Sequence, residues 1–157
     1  NKDKTKIGFI GAGNYASRIL IPAFKDAGAQ LDTLVSSGGI SGVQHGTKAG
    51  FRVAATELKA LYDSERINTV AIVTRHDAHA GQVLVALECG KNIFVEKPAG
   101  INLNQSKSLY QLNKKYNAKV MVGFNRRYYS IFRKVKNLIK KSALFLSEDK
   151  LFIFFEM

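Results

Sequence analysis

Residues 7–16 read Ile-Gly-Phe-Ile-Gly-Ala-Gly-Asn-Tyr-Ala, an apolar run that leads directly into a glycine-rich turn. The run predicts a buried strand, and G-x-G-x-x-A between a strand and a helix is typical of a turn that cradles a pyrophosphate. Gly11 permits the tight turn, Gly13 lets the backbone approach the anion, and Ala16 keeps the helix close to the strand. The candidate phosphate-binding residues are Gly11, Gly13, Asn14 and Tyr15.

Two alternatives to this interpretation follow from the motif itself. The first is a glycine-rich turn without a ligand, which the flanking strand and helix make the weaker choice. The second is a P-loop, which is disfavoured because no G-K-[ST] sequence follows the turn.

Strands and helices alternate along the rest of the chain. Short, continuous apolar runs predict buried strands at 7–10, 31–35, 69–73, 93–95 and 120–122. Amphipathic segments and caps predict helices at 15–27, 57–62 after Thr56, 79–89, 103–116 after Asn102, and 127–141. Pro22 predicts a bend or an irregular turn within the first helix. This alternation predicts an α/β fold with a doubly wound parallel sheet.

Composition excludes several classes of protein. The chain has 157 residues, 46% hydrophobic and 23% charged, which rules out a wholly disordered or collagen-like chain. No apolar run approaches the ~18 residues of a membrane span, so we expect no membrane partner. The single cysteine, Cys89, cannot form an internal disulfide and fits a cytoplasmic location. Without a basic residue to activate it, Cys89 is predicted to be a small buried apolar side chain.

The formal net charge of +12 is concentrated late in the chain. Residues 124–147 hold seven basic side chains and no acidic one. Such a segment attracts polyanions, but it carries no recognised nucleic-acid motif. A solvated basic helix face is therefore favoured, and no nucleic-acid partner is expected.

The second strand ends where a dinucleotide fold places the residue that contacts the adenosine ribose. An acidic residue there favours NAD and a nearby arginine favours NADP, but this chain has Ser36 and Ser37 followed by two glycines. Asp32 comes too early in the strand. The choice between NAD and NADP stays open.

Four motifs occur in order at suitable spacing and together resemble one family. They are G-x-G-x-x-A at 11–16, Thr-Arg-His-Asp-Ala-His-Ala at 74–80, Glu-Lys-Pro at 96–98 and Gly-Phe-Asn-Arg-Arg-Tyr at 123–128. The chain resembles, over about residues 5–142, the N-terminal half of the glucose–fructose oxidoreductase / inositol dehydrogenase (Gfo/Idh/MocA) family. That resemblance implies a Rossmann-type domain over residues 1–123. Residues 124–157 would hold a linking helix and the start of a second, substrate-binding domain that is largely missing.

The resemblance also implies roles for the third motif. Lys97 would lie beside the nicotinamide and manage the proton of the reacting hydroxyl or carbonyl, Glu96 would contact the ribose, and Pro98 would shape the turn through a peptide bond that is often cis in relatives. A surface Glu-Lys pair before a helix is the alternative.

The other two motifs would line the same cleft. Thr74, Arg75, His76 and His79 would lie beside the cofactor, with His79 at the start of a helix. Two histidines and an aspartate also resemble zinc ligands, but no third ligand cluster accompanies them, so no metal is expected. Asn125 would face the nicotinamide and Arg126 or Arg127 the substrate, although a basic start to the next helix is an equal alternative for the arginines.

The functional expectation is an NAD- or NADP-dependent oxidoreductase that transfers hydride to or from a sugar, cyclitol or sugar nucleotide. Relatives extend well past 300 residues, so we expect a chain that is inactive alone, as a truncated or frameshifted form or as a single-domain remnant. The alternative is a non-catalytic module that binds a dinucleotide or a partner and pairs with a second copy through its apolar tail, which includes the run at 152–155. Residues 147–150 would form a hairpin turn before that run.

Overall fold

The computed structural model describes residues 4–38, 40–116 and 118–141. The chain divides after Gly123 into two compact units, which are described separately.

The first unit is built on one parallel sheet. Its six described strands are β1 Lys6–Ile10, β2 Gln30–Val35, β3 Val53–Ala55, β4 Thr69–Ile72, β5 Asn92–Val95 and β6 Val120–Val122. All neighbouring strands are parallel, in the order β3-β2-β1-β4-β5-β6. This order confirms the doubly wound α/β prediction. β2 and β3 extend the sheet on one side of β1, and β4, β5 and β6 extend it on the other side. Ligands bind where the order of strands reverses in this way, outside the carboxyl ends of the strands.

Helices cover both faces of the sheet. They are a π-helical turn Ala16–Leu20, α1 Ile21–Asp26, α2 Ile40–Ala49, α3 Lys59–Tyr62, α4 His76–Glu88 and α5 Leu103–Lys115. The second unit contains a 3₁₀ helix, Asn125–Tyr128, and α6, Ser130–Lys141. None of the helices in the described ranges is long and apolar enough to cross a membrane.

Side-chain alternation along the strands separates two apolar layers. On β1, Ile7 and Phe9 face one layer, where Phe9 packs edge-on against Phe24 and Phe51 at centroid distances of 5.5 and 5.7 Å. The opposite layer lies under α3, α4 and α5 and includes Ile10. A Cβ at Gly8 would lie 2.6 Å from Leu61 Cδ1, so glycine is needed there for α3 to approach the sheet. The buried sheet explains the unbroken apolar runs of the sequence.

Several predicted helix boundaries were wrong. The segment predicted as one helix over 15–27 contains the π-helical turn Ala16–Leu20 directly before α1, which confirms the irregular turn predicted at Pro22. α3 begins at Lys59 without a side-chain cap, so Thr56 is not its N-cap. α4 begins at His76, which places His79 inside the first turns rather than at the helix start. The Asn102 cap is confirmed, because its Oδ1 accepts from the Gln105 N–H at 2.9 Å.

Two elements were missed, and one residue was misplaced. The short apolar runs did not reveal α2 and β3. Cys89 is exposed rather than buried, because it follows the last residue of α4 at the surface. The segments predicted around 147–150 and 152–155 lie outside the described residues.

Candidate functional site

The turn after β1 packs tightly against the sheet at Gly11 and has unoccupied space beside Gly13. Gly11 has φ +103°, and a Cβ there would overlap the carbonyl oxygen of Val73 on the neighbouring β4 connection. Its N–H donates to Val35 O at 2.8 Å, which holds the turn against β2. By contrast, a Cβ at Gly13 would meet no atom within 4 Å. The turn is thus pressed into the sheet at Gly11 and leaves free space at Gly13.

The connection from β4 to α4 follows the strand next to β1 and carries the second group of predicted site residues. Thr74 Oγ1 donates to Gln82 Oε1 at 2.6 Å, and the backbone carbonyl of Gln82 accepts from Tyr62 Oη at 3.1 Å. Burial, with a smaller contribution from Cys89, raises the pKa of Tyr62 to about 12, so its hydroxyl stays protonated and donates. The side chains of Arg75 and His76 are exposed, and Arg75 pairs with Asp77 at 3.5 Å.

His79 connects the segment that follows β4 to the segment that follows β5. Its side chain is completely buried. Its Nδ1 lies 2.8 Å from Pro98 O and its Nε2 lies 3.1 Å from Thr74 O. Both ring nitrogens of His79 face backbone carbonyls, so the ring itself does not reach solvent. His79 therefore supports the cofactor edge by contacting Thr74 and Pro98.

The turn after β5 carries Glu96, Lys97 and Pro98. The Lys97–Pro98 peptide is cis, and Lys97 is exposed. Glu96 Oε2 accepts from the Lys97 N–H at 3.2 Å. Its other oxygen, Oε1, is buried and has no hydrogen-bond partner among the described residues. A Cβ at Gly123 would lie 2.6 Å from this Oε1, so glycine there makes room for the carboxylate.

The turn after β2 lies on the other side of β1. Ser36 Oγ accepts from the Gly38 N–H at 3.2 Å, and its Cβ would lie only 2.9 Å from a Cβ at Gly42. Ser37 is exposed. Asp32 is buried further back in β2, where its Oδ2 accepts from Arg52 and Arg66 at 3.1 and 3.2 Å. Its carboxylate is therefore engaged away from this turn.

The structure brings most of the predicted residues of the first unit to one edge. The turns after β1, β2, β4 and β5 all follow the carboxyl ends of parallel strands, with β1 paired to both β2 and β4, and β4 paired to β5. Asn125 and Arg126 lie on the 3₁₀ helix of the second unit. Within the described ranges, no group of three His, Cys, Asp or Glu side chains is arranged to hold a metal ion.

Two supporting residues had no assigned role in the sequence analysis. Gln82 positions the Thr74 hydroxyl, and Gly123 gives space to the Glu96 carboxylate. A glycine directly after a predicted strand was a visible signal for Gly123. Gln82 offered none, because its position on α4 becomes informative only when α4 is packed on the sheet.

These features fit a nicotinamide dinucleotide. The free space at Gly13 allows a pyrophosphate to approach the backbone, and the unpartnered Glu96 Oε1 lacks a donor of the kind that a ribose hydroxyl supplies. The fold and the site together define a dinucleotide-binding α/β domain.

Comparison with known proteins identifies the family. Residues 5–124 match the Gfo/Idh/MocA family, described as "Oxidoreductase family, NAD-binding Rossmann fold". The chain belongs to this family, and its first unit is the family's NAD-binding domain.

Individual relatives agree with this assignment. Oxidoreductase P35 of Formosa agariphila is 30% identical over 138 residues, covering 87% of this chain and 43% of that protein. Apo scyllo-inositol dehydrogenase from Lactobacillus casei is 26% identical with a TM-score of 0.77, covering 87% of this chain and 40% of that one.

A third relative shares the fold at lower identity. It is a 3-ketoreductase from Actinomadura kijaniata, solved in complex with TDP-benzene and NADP. Its TM-score is 0.81 at 19% identity, and the match covers 90% of this chain and 45% of that one. The chain therefore spans less than half the length of these relatives.

Proposed function

We propose that this chain is the cofactor-binding part of an oxidoreductase that transfers hydride between a nicotinamide dinucleotide and a hydroxyl-bearing carbon of a sugar or cyclitol. The observation that carries the proposal is a continuous set of contacts along one sheet edge. Gly11 lies against Val73, Thr74 O faces His79, and His79 faces Pro98 O, next to Lys97. The phosphate turn and the lysine therefore belong to one cleft.

The substrate class rests on similarity. The scyllo-inositol dehydrogenase, 26% identical to this chain, is named for a cyclitol. A polyhydroxylated ring is a suitable substrate for the proposed chemistry because a carbon that bears a hydroxyl also bears a hydrogen, which can leave as hydride while the hydroxyl loses a proton.

The roles of the residues follow from their positions. The bound dinucleotide supplies or accepts the hydride. In the reducing direction, the substrate carbonyl carbon receives the hydride while its oxygen receives a proton from the Lys97 ammonium, which leaves an alcohol. The Glu96 carboxylate accepts a hydrogen bond from a ribose hydroxyl, and the amides at the start of the helix after Gly13 meet the pyrophosphate.

Fluorescence titration with NADH and NADPH tests the proposal. The unmodified chain should bind both. Glu96→Gln should weaken NADH binding by about tenfold, because a hydrogen bond to a charged group contributes roughly 1.5–3 kcal/mol and a neutral amide retains only part of it. Lys97→Ala is the matched control on the same turn, and its NADH affinity should change by less than about threefold. Absence of dinucleotide binding to the unmodified chain would contradict the proposal.

A further inference from the structure

We infer that His79 is a positioning residue of the cofactor cleft, whose Nδ1 bond to Pro98 holds the Lys97–Pro98 turn in place for the nicotinamide half of the dinucleotide. This inference rests on the proposed function, because it assumes that the cleft binds a dinucleotide.

The His79 ring connects the segments that follow two adjacent strands, β4 and β5. The ring is completely buried on α4, and its two nitrogens face Pro98 O at 2.8 Å and Thr74 O at 3.1 Å. These carbonyls belong to the connections that follow β5 and β4, which are adjacent in the sheet. One side chain therefore links two walls of the cleft.

The chemistry of the two contacts is restrictive. A carbonyl oxygen only accepts, so a neutral imidazole can donate to one of the two carbonyls and an imidazolium to both. The shorter contact is that of Nδ1, so we assign the donated proton of the neutral ring to Nδ1. Loss of the donor leaves that part-buried carbonyl without its hydrogen bond from α4.

The two contacts differ in how easily they can be replaced. The connection after β4 has a second tie to α4, because Thr74 Oγ1 also donates to Gln82. The turn after β5 is tied to α4 at Pro98 through His79. Loss of the Nε2 contact therefore leaves Thr74 tied to α4, whereas loss of the Nδ1 contact removes the hydrogen bond between α4 and Pro98, the residue after Lys97.

Two substitutions separate these contacts. The asparagine amide nitrogen lies near the position of Nδ1, and the glutamine amide nitrogen lies near that of Nε2. His79→Asn therefore keeps a donor for Pro98 O, and His79→Gln keeps one for Thr74 O. Glu88→Gln is the control, because Glu88 is an exposed residue at the C-terminal end of the same helix, away from the turns that follow β4 and β5.

The readout compares two ligands. ADP carries only the adenosine and diphosphate part, whereas NADH also uses the nicotinamide side of the cleft. Relative to the unmodified chain, His79→Gln should bind NADH at least about tenfold more weakly, and His79→Asn and Glu88→Gln should stay within about threefold. All variants should bind ADP within about threefold of the unmodified chain.

The opposite results would overturn the inference. Equal NADH affinities for His79→Asn and His79→Gln would show that the Pro98 contact has no special role. A parallel loss of ADP and NADH binding would show that His79 acts only on general stability. If the two variants do not fold, long-range ¹H–¹⁵N spectra of the unmodified chain decide: a protonated Nδ1 supports the inference, and an unprotonated Nδ1 overturns it.

The same series distinguishes failure of the proposed function. An unmodified chain that binds neither ADP nor NADH would contradict dinucleotide binding itself. The protonation state of Nδ1 would then still decide whether the His79–Pro98 bond exists.

Discussion

Gly11 and Gly13 belong to the same turn, yet substitutions at these two positions should have opposite consequences. At Gly11, φ is +103° and a Cβ would overlap Val73 O. A non-glycine residue in such a conformation costs about 1–3 kcal/mol before the steric overlap is added. At Gly13, a Cβ would meet no atom within 4 Å, so the fold should tolerate a side chain there.

Gly13→Val should therefore abolish dinucleotide binding without loss of stability. The valine side chain fills the space through which the backbone approaches the pyrophosphate. Loss of even one hydrogen bond to a charged phosphate, about 1.5–3 kcal/mol, weakens binding by roughly ten- to 150-fold. Gly11→Ala should instead lower the melting temperature by about 2–12 °C, since 1 kcal/mol corresponds to roughly 2–4 °C in a chain of this size.

Thermal unfolding by circular dichroism and NADH fluorescence titration measure the two effects separately. The expected result is a Gly13→Val protein with an unchanged melting temperature and no measurable NADH binding. Unchanged NADH affinity in Gly13→Val would refute the assignment of the phosphate turn. A large drop in its melting temperature would refute the conclusion that the space at Gly13 is free.

Three further outcomes are expected. Because Ser36 and Ser37 neither repel nor clamp a 2′-phosphate, NAD and NADP affinities should differ by less than about tenfold, and Ser36→Asp should shift the preference toward NAD; a hundredfold preference in the unmodified chain would implicate another residue. Burial raises the pKa of Tyr62 to about 12, so between pH 10 and 12 the unfolded chain loses this proton and the folded chain keeps it. The free energy of unfolding should then fall by up to about 1.4 kcal/mol per pH unit, and Tyr62→Phe should reduce that slope in pH-dependent urea denaturation. Finally, we expect the 157-residue chain alone to show no turnover with inositol, glucose or sugar nucleotides and either cofactor, because Lys97 is exposed and hydride transfer needs a water-excluded substrate; turnover that Lys97→Ala removes would contradict this expectation.

Local signals were enough to predict five of the six described strands and much of the sheet's carboxyl edge. The G-x-G-x-x-A turn, the apolar runs, the Asn102 cap and the irregularity at Pro22 each depend on a few adjacent residues, and all are present in the structure. The cis Lys97–Pro98 peptide, which the family resemblance implied, is also present.

Two different features explain why α2 and β3 were not predicted: glycines in α2, and the short length of β3. Gly42 and Gly46 lower the intrinsic helix propensity of 40–49, and 53–55 is a short half-buried edge strand. A Cβ at Gly46 would lie 3.2 Å from Ala54 Cβ and 3.4 Å from Leu34 Cδ2. The glycines let α2 pack closely on β2 and β3, and that packing exists only after distant segments meet.

The sequence by itself determined which residue types reach the carboxyl edge of the sheet, because strand ends and turns are specified locally. Only the tertiary structure decided which of these side chains face the cleft and which support it. His79 is buried between two carbonyls, Glu96 Oε1 lies against Gly123, and Cys89 is exposed. These outcomes depend on the packing of α4 and β6 against strands far away in the chain, and no short sequence pattern encodes that packing.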